Sequence, residues 1–195
     1  MNHVRTLGIF VLILGSVVVM AQSEGRLSLG PRIGINIANV NLEEADRITG
    51  LTAGITSSYL LGASSALSLE VLYAEEGYEV STSTISYRYF QVPIMYNSLF
   101  GLPNHSFRPK LSAGIAPSFL LDASVNDVDF TEQNKSFALN FIGGVGFDYR
   151  IMARISLIGD ARVLVGLTDI EINPSAGTGL RNRTFQFSLG AAYSF

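Results

Sequence analysis

Apolar side chains recur at every second position along most of this chain, and that period constrains its fold more than any composition figure does. The last segment shows it best. Phe185, Phe187, Leu189, Ala191, Tyr193 and Phe195 fall on one face, with Thr184, Gln186, Ser188, Gly190, Ala192 and Ser194 on the other. A helix would scatter both sets around its circumference, whereas a strand sends successive side chains to opposite faces. Six more segments carry apolar residues at odd numbers: Leu27 to Ile35, Leu51 to Tyr59, Leu67 to Tyr73, Leu111 to Leu121, Phe137 to Tyr149 and Ile155 to Val165. Another, Phe90 to Tyr96, repeats the pattern in even phase. The expected fold is all-β, with eight strands, an even number of the kind found in single-chain bacterial membrane barrels.

Period alone leaves open which face meets solvent, since a soluble lipocalin-like barrel would turn its apolar face inward. The opposite face decides it. Ser28, Gly30, Gly34, Thr52, Gly54, Thr56, Ser112, Gly114, Ala116, Gly144, Gly146 and Gly190 are among the smallest side chains available, where a soluble exterior would carry Lys, Glu and Gln. Small polar residues suit the interior of a narrow barrel, which side chains just fill. Leu, Ile and Phe then face lipid, giving an eight-stranded antiparallel transmembrane up-and-down β-barrel. Closure gives every backbone N–H and C=O in hydrocarbon a partner. Short turns are expected at Leu61 to Ser65, Asn97 to Phe107 and Ile151 to Ala153. Long outer loops are expected at Ile37 to Arg47, Glu75 to Thr84, Asp122 to Ser136 and Thr168 to Asn182. An even strand count puts both termini on the periplasmic side with the short turns.

The first residues read as an export signal. Met1 to Gly8 carries Arg5 and no acid, Ile9 to Met20 is apolar apart from Gly15 and Ser16, and Val19-Met20-Ala21 supplies small residues for cleavage. That apolar run is shorter than the roughly 20 residues a membrane-spanning helix needs. The division is residues 1–21 as signal peptide and 22–195 as outer-membrane barrel domain. No cysteine means no lipoprotein anchor, disulfide framework or thiolate metal site. A net charge of −3 argues against nucleic acid as a partner. With 48% hydrophobic and 15% charged residues the chain should be ordered.

Charge is expected to separate along the barrel axis. Glu43, Glu44, Asp46, Glu75, Glu76, Glu79, Asp122, Asp127, Asp129, Glu132, Asp169 and Glu171 fall in the outer loops, against Arg47, Lys135 and Arg181. Such a rim is either a solvated surface or a place to capture cationic ligands, and no loop has the spacing of a calcium-binding loop. Strand phase places Arg32, Glu70, Lys110, Asp148, Arg150, Arg154, Asp160 and Arg162 in the lumen. Buried charges are costly unless paired. A lumen charge network of Arg32, Glu70, Asp148, Asp160 and Arg162 is therefore expected to plug the barrel, with Glu70 facing Arg162 across the interior.

Enzyme chemistry finds little support. An outer-membrane hydrolase needs a His beside a nucleophile, yet the two histidines are His3, in the signal, and His105, in a periplasmic turn. Paired acids such as Glu75 with Glu76 or Asp127 with Asp129 sit in polar loops with no apolar pocket to shift their protonation. Gly143-Gly144-Val145-Gly146 lacks the strand-then-helix context of a phosphate loop and is read as a place where the wall bends or neighbours pack. No cofactor is expected. Pro31, Pro93 and Pro117 fall inside proposed strands, each removing one ladder donor, which points to bulges or unpaired positions.

Leu69-Glu70-Val71-Leu72-Tyr73 followed by Glu76-Gly77, then Tyr89-Phe90-Gln91-Val92-Pro93-Ile94, resembles strands three and four of the PorT-like "porin family" barrels of the Bacteroidota. Gly114 to Leu121, Val165 to Ile170 and the terminal strand continue the likeness over the whole mature chain. The resemblance implies an outer-membrane location, lipid contact, and a terminal Tyr193-Ser194-Phe195 similar to the signal read by the barrel-assembly machinery. It implies nothing about transport. Two functions remain open: a plugged barrel whose acidic loops contact a protein, surface polymer or secretion component, and a narrow passive pore for small solutes or ions. The strand count favours the closed barrel.

Overall fold

Alternation of this length forces strand pairing, and the computed structural model, which describes residues 26–41, 45–126, 128–170 and 181–195, shows how the pairs close. The strands are β1 (Leu27–Val40), β2 (Asp46–Gly62), β3 (Ser65–Val80), β4 (Ser83–Gln91), β5 (Ile94–Leu99), β6 (Phe107–Val125), β7 (Val128–Asp129), β8 (Phe137–Met152), β9 (Ile155–Gly166) and β10 (Asn182–Ser194). All pairings are antiparallel. β4 and β5 follow one another between β3 and β6, β7 only flanks β6, and β2 pairs with β3, so the sheet closes into eight staves. Among the described residues no helix is long and apolar enough to cross a membrane; the strands are the elements of that length.

The prolines sit where the ladder can spare a donor. Pairing of β1 with β10 runs through Leu29–Tyr193 and resumes at Arg32–Gly190, skipping Gly30 and Pro31. Pro93 marks the break between β4 and β5, and Pro117 lies opposite it on β6. Both still accept through their carbonyls, Glu70 N–H donating to Pro93 O at 2.9 Å and Val92 N–H to Pro117 O at 2.8 Å. A one-residue bulge between Arg88 and Tyr89 against Asp122 and Leu120 takes up the remaining mismatch.

Side-chain burial follows the phase. Ile33 and Leu189 on the outer face are 58% and 55% exposed, while their neighbours Asn36 and Gln186 on the inner face are 0% and 1% exposed. Phe90, Phe119 and Phe137 form an outward row of rings across three neighbouring staves. This is the reverse of a soluble barrel, and water would find no polar coat on the outside.

Several expected boundaries move by a few residues, and two loops change character. The long loop placed at Glu75 to Thr84 is instead strand: β3 runs to Val80 and β4 resumes at Ser83, with Ser81 at φ 56° in the tight turn. The reason is that the inward phase of Glu70, Leu72 and Ala74 continues through Glu76 and Tyr78, all buried, so the alternation never stops where acids begin. The loop at Asp122 to Ser136 is partly ordered by β7 and a 3-10 turn at Thr131–Gln133, tied to β6 by Ala123 N–H donating to Thr131 Oγ1 at 2.9 Å. The proposed signal segment, Glu43, Glu44, Asp127 and Glu171, and most of the loop Thr168 to Asn182 lie outside the described residues.

Candidate functional site

Halfway along the lumen, every second stave sends in charge. Arg32 comes from β1, Glu70 from β3, Lys110 from β6, and Asp160 and Arg162 from β9; all five are nearly inaccessible to solvent. Contributions from alternate strands are how a narrow barrel fills its interior in layers. Arg162 grips Glu70 with both terminal nitrogens, Nη1 to Oε2 at 2.7 Å and Nη2 to Oε1 at 2.8 Å, a bidentate fork. Arg32 Nη2 reaches Asp160 Oδ2 at 2.6 Å and its Nη1 stands 3.5 Å from Glu70. Lys110 Nζ lies 3.1 Å from Asp160 Oδ1, and Arg162 Nη2 3.4 Å from Asp160 Oδ2. Thr56 donates to Glu70 at 3.1 Å and Ser188 accepts from Arg32 at 3.0 Å, so β2 and β10 close the ring around the cluster.

The stave between β6 and β9 makes room. Gly144 and Gly146 point at the cluster from β8, and a Cβ on Gly144 would sit 2.9 Å from Arg162 Cγ, one on Gly146 2.9 Å from Lys110 Cε. Glycine here is a space requirement of the β9 backbone, whose Ala161 O and Gly159 O would lie closer still, as well as of the charged layer. Gly143 and Val145 alternate to the outer side of the same strand.

Farther from the termini lies a second layer that the sequence reading missed. Gln91 Nε2 and Asn182 Nδ2 each donate to the buried Glu76 carboxylate at 2.8 Å, and Gln186 Nε2 donates to Asn36 at 3.1 Å. Above it Tyr78, Tyr87 and Tyr89 stack at 6.4 and 6.2 Å between centroids, with Phe130 tilted over Tyr87 at 6.0 Å. Val40, Ala45, Ile85, Ala123, Ala138 and Ile170 complete this apolar cap. The signal was present in the phase: Tyr78 is even in β3, Tyr87 and Tyr89 are odd in β4, and those are the inward positions of each strand.

Of the lumen residues named from sequence, Arg32, Glu70, Asp160 and Arg162 meet in one cluster, which Lys110 joins. Asp148 does not. It is half-buried nearer the termini and forms no ion pair among the described residues, because its stave position is two pairs below Asp160 on the neighbouring ladder. Arg150 and Arg154 are exposed at that end, donating to Pro103 O at 2.7 Å and to the Tyr193 hydroxyl at 3.2 Å. Glu76, expected in an outer loop, is a lumen residue. Asp46, Glu79, Asp129 and Glu132 are exposed at the end away from the termini. There Asp122 pairs with Arg88 at 3.3 Å and Asp169 with Arg181 at 3.0 Å. Tyr193 and Phe195 face outward with rings 5.2 Å apart, and Phe195 N–H donates to Leu27 O at 3.0 Å. His105 shares the terminal cavity with Ser106 and Asp148, but among the described residues no hydrogen bond joins its ring to either.

Comparison with known proteins follows the same architecture. The family model described as "Outer membrane protein beta-barrel domain" matches residues 20–171. The crystal structure of Neisserial surface protein A superposes with a TM-score of 0.61 at 14% identity, covering 87% of this chain and 97% of that one. OprG of Pseudomonas aeruginosa gives 0.56 at 15% identity, covering 88% and 96%. Outer Membrane Protein W of E. coli gives 0.51 at 16%, covering 89% and 100%. At such identities the likeness is one of fold. No curated protein matches the sequence.

Proposed function

Since this chain belongs to the outer membrane protein β-barrel domain family and is a bacterial outer-membrane protein, we propose that it works as a closed barrel, sealed in the middle and presenting its acidic outer loops to a partner. The observation that carries this reading is the charged layer: Arg32, Glu70, Lys110, Asp160 and Arg162 join four alternate staves across the lumen at 2.6 to 3.5 Å. The stacked tyrosines form a second barrier farther out. An ion crossing would have to pass both, and displacing a charge from a buried pair leaves its partner uncompensated, which is costly.

The role is structural or interactive, with no catalytic step. Among the described residues the outer rim exposes Asp46, Glu79, Asp129 and Glu132 beside Arg47, Arg88, Lys135, Arg181 and Arg183, a mixed charged surface that a protein or surface polymer can meet through ion pairs. The PorT-like resemblance favours a component associated with secretion. Tyr193 and Phe195, outward on the last strand, are the residues the barrel-assembly machinery would read.

Two experiments test this. Proteoliposomes holding the refolded chain should show no swelling in small sugars, whereas robust flux would support a narrow pore instead. Cross-linking from a photoreactive residue at position 132 in native membranes should trap a discrete product, and a smear no different from a lipid-facing control at position 189 would remove the partner.

A further inference from the structure

The end of the lumen that holds the termini is not filled. A cavity of about 260 Å³ opens there, lined by ends of nearly every stave. Its charge is basic. Arg26, Arg108 and Arg150 face it against the single acid Asp148, with His105, five serines and five apolar residues making the rest of the wall.

Donors are in surplus. A guanidinium offers five N–H groups in a fixed fork and accepts none. Arg108 uses Nη2 on Ala63 O at 2.5 Å, and its Nε, on a side chain that is 8% exposed, has no hydrogen-bond partner among the described residues. Arg150 uses Nη2 on Pro103 O at 2.7 Å. Both backbone bonds hold the guanidinium groups in place at the mouth, so little side-chain entropy would be lost on meeting an anion. A buried donor without an acceptor is costly, and an oxyanion entering the cavity would relieve it.

From this geometry we propose that the cavity is a binding site for a phosphate group, held by Arg108 and Arg150 with serine hydroxyls donating to the remaining oxygens. Arginine forks match tetrahedral oxyanions with paired hydrogen bonds. The volume lies below the roughly 300–1,000 Å³ of sites for drug-sized ligands, which selects a small anion or the head of a larger one. The ion pairs of Arg32, Glu70, Lys110, Asp160 and Arg162 span the lumen beyond it, so the anion is retained at this end and is not in transit. The phosphate can belong to a soluble compound or to a lipid headgroup of the adjacent leaflet.

The test uses the full chain refolded in dodecylmaltoside, titrated with inorganic phosphate and with pyrophosphate by calorimetry, at ionic strength held constant with sodium chloride. Saturable heat is expected with the phosphates. Arg150→Gln should weaken it about tenfold, the value of one charge-assisted bond, and Arg108→Lys should weaken it while keeping the charge. Heat-dependent gel mobility confirms that each variant is folded; since Arg150 is exposed, its variant remains informative if Arg108→Lys fails to fold. Displacement of bound phosphate by short-chain phosphatidylglycerol, and not by glycerol phosphate, supports the site with a lipid as its source; the converse supports it with a soluble source. No saturable heat above the chloride control, or equal affinity in wild type and Arg150→Gln, overturns the proposal.

Discussion

Replacing Glu70 by Gln keeps the shape of the lumen and removes one charge from its centre. Arg162 then keeps at most one hydrogen bond to position 70, to the amide oxygen, in place of the charged fork at 2.7 and 2.8 Å, beside Asp160 and Gln186, each at 3.4 Å. Three cations, Arg32, Lys110 and Arg162, face Asp160 alone, so the layer's net charge rises from +1 to +2. All four are shielded from water, so an unfolding penalty of about 3–5 kcal/mol is expected, as for other buried pairs stripped of one member. An exposed pair would lose only about 0–1 kcal/mol. Urea unfolding in phosphatidylcholine vesicles, read by fold-dependent gel mobility and by tyrosine fluorescence since the chain has no tryptophan, measures the difference. The double variant Glu70→Gln with Arg162→Met should lose less than the sum of the two single changes, because neither leaves an unpaired charge. A loss below about 1 kcal/mol for Glu70→Gln alone would mean the lumen is wet and the pair screened, refuting the reasoning.

Leu189→Arg, on the outward face of β10, should cost about 2–4 kcal/mol if it lies near mid-bilayer, measured by the same urea titration. Gly144→Val puts a side chain against Arg162 and should cost about 1–3 kcal/mol by overpacking, and unchanged stability would show that β8 can move away. Phe195→Ala should lower the amount of folded barrel in the outer membrane of cells while leaving refolding into detergent intact; equal loss in both would make its role one of stability, not of assembly.

The wall of this barrel was legible because lipid and lumen impose opposite chemistries on adjacent residues. Ile33 and Leu189 outward and Asn36 and Gln186 inward follow from counting alone. The pairing of Glu70 with Arg162 could also be anticipated, since both are inward charges at mid-strand. What counting could not supply was height and angle. Asp148 has the right phase but sits nearer the mouth, and Lys110, on the stave opposite Arg32, joins Arg32 and Arg162 at Asp160. The acids of β3 misled for a physical reason: Glu75 and Glu76 read as loop by composition, but Glu76 finds amide donors on Gln91 and Asn182, residues distant in sequence that only closure brings together. The tyrosine cap was hidden likewise, since Tyr78, Tyr87 and Tyr89 suit a membrane-interface girdle as readily as a lumen until their phase is counted through the turn at Ser81.

The sealed interior is best judged by current. Single barrels inserted in planar bilayers should give a flat trace at moderate voltage, with only rare brief openings, because charge and stacked rings block the path in series. A large and steady conductance in the wild-type chain would contradict a closed lumen, and the narrow pore would take its place.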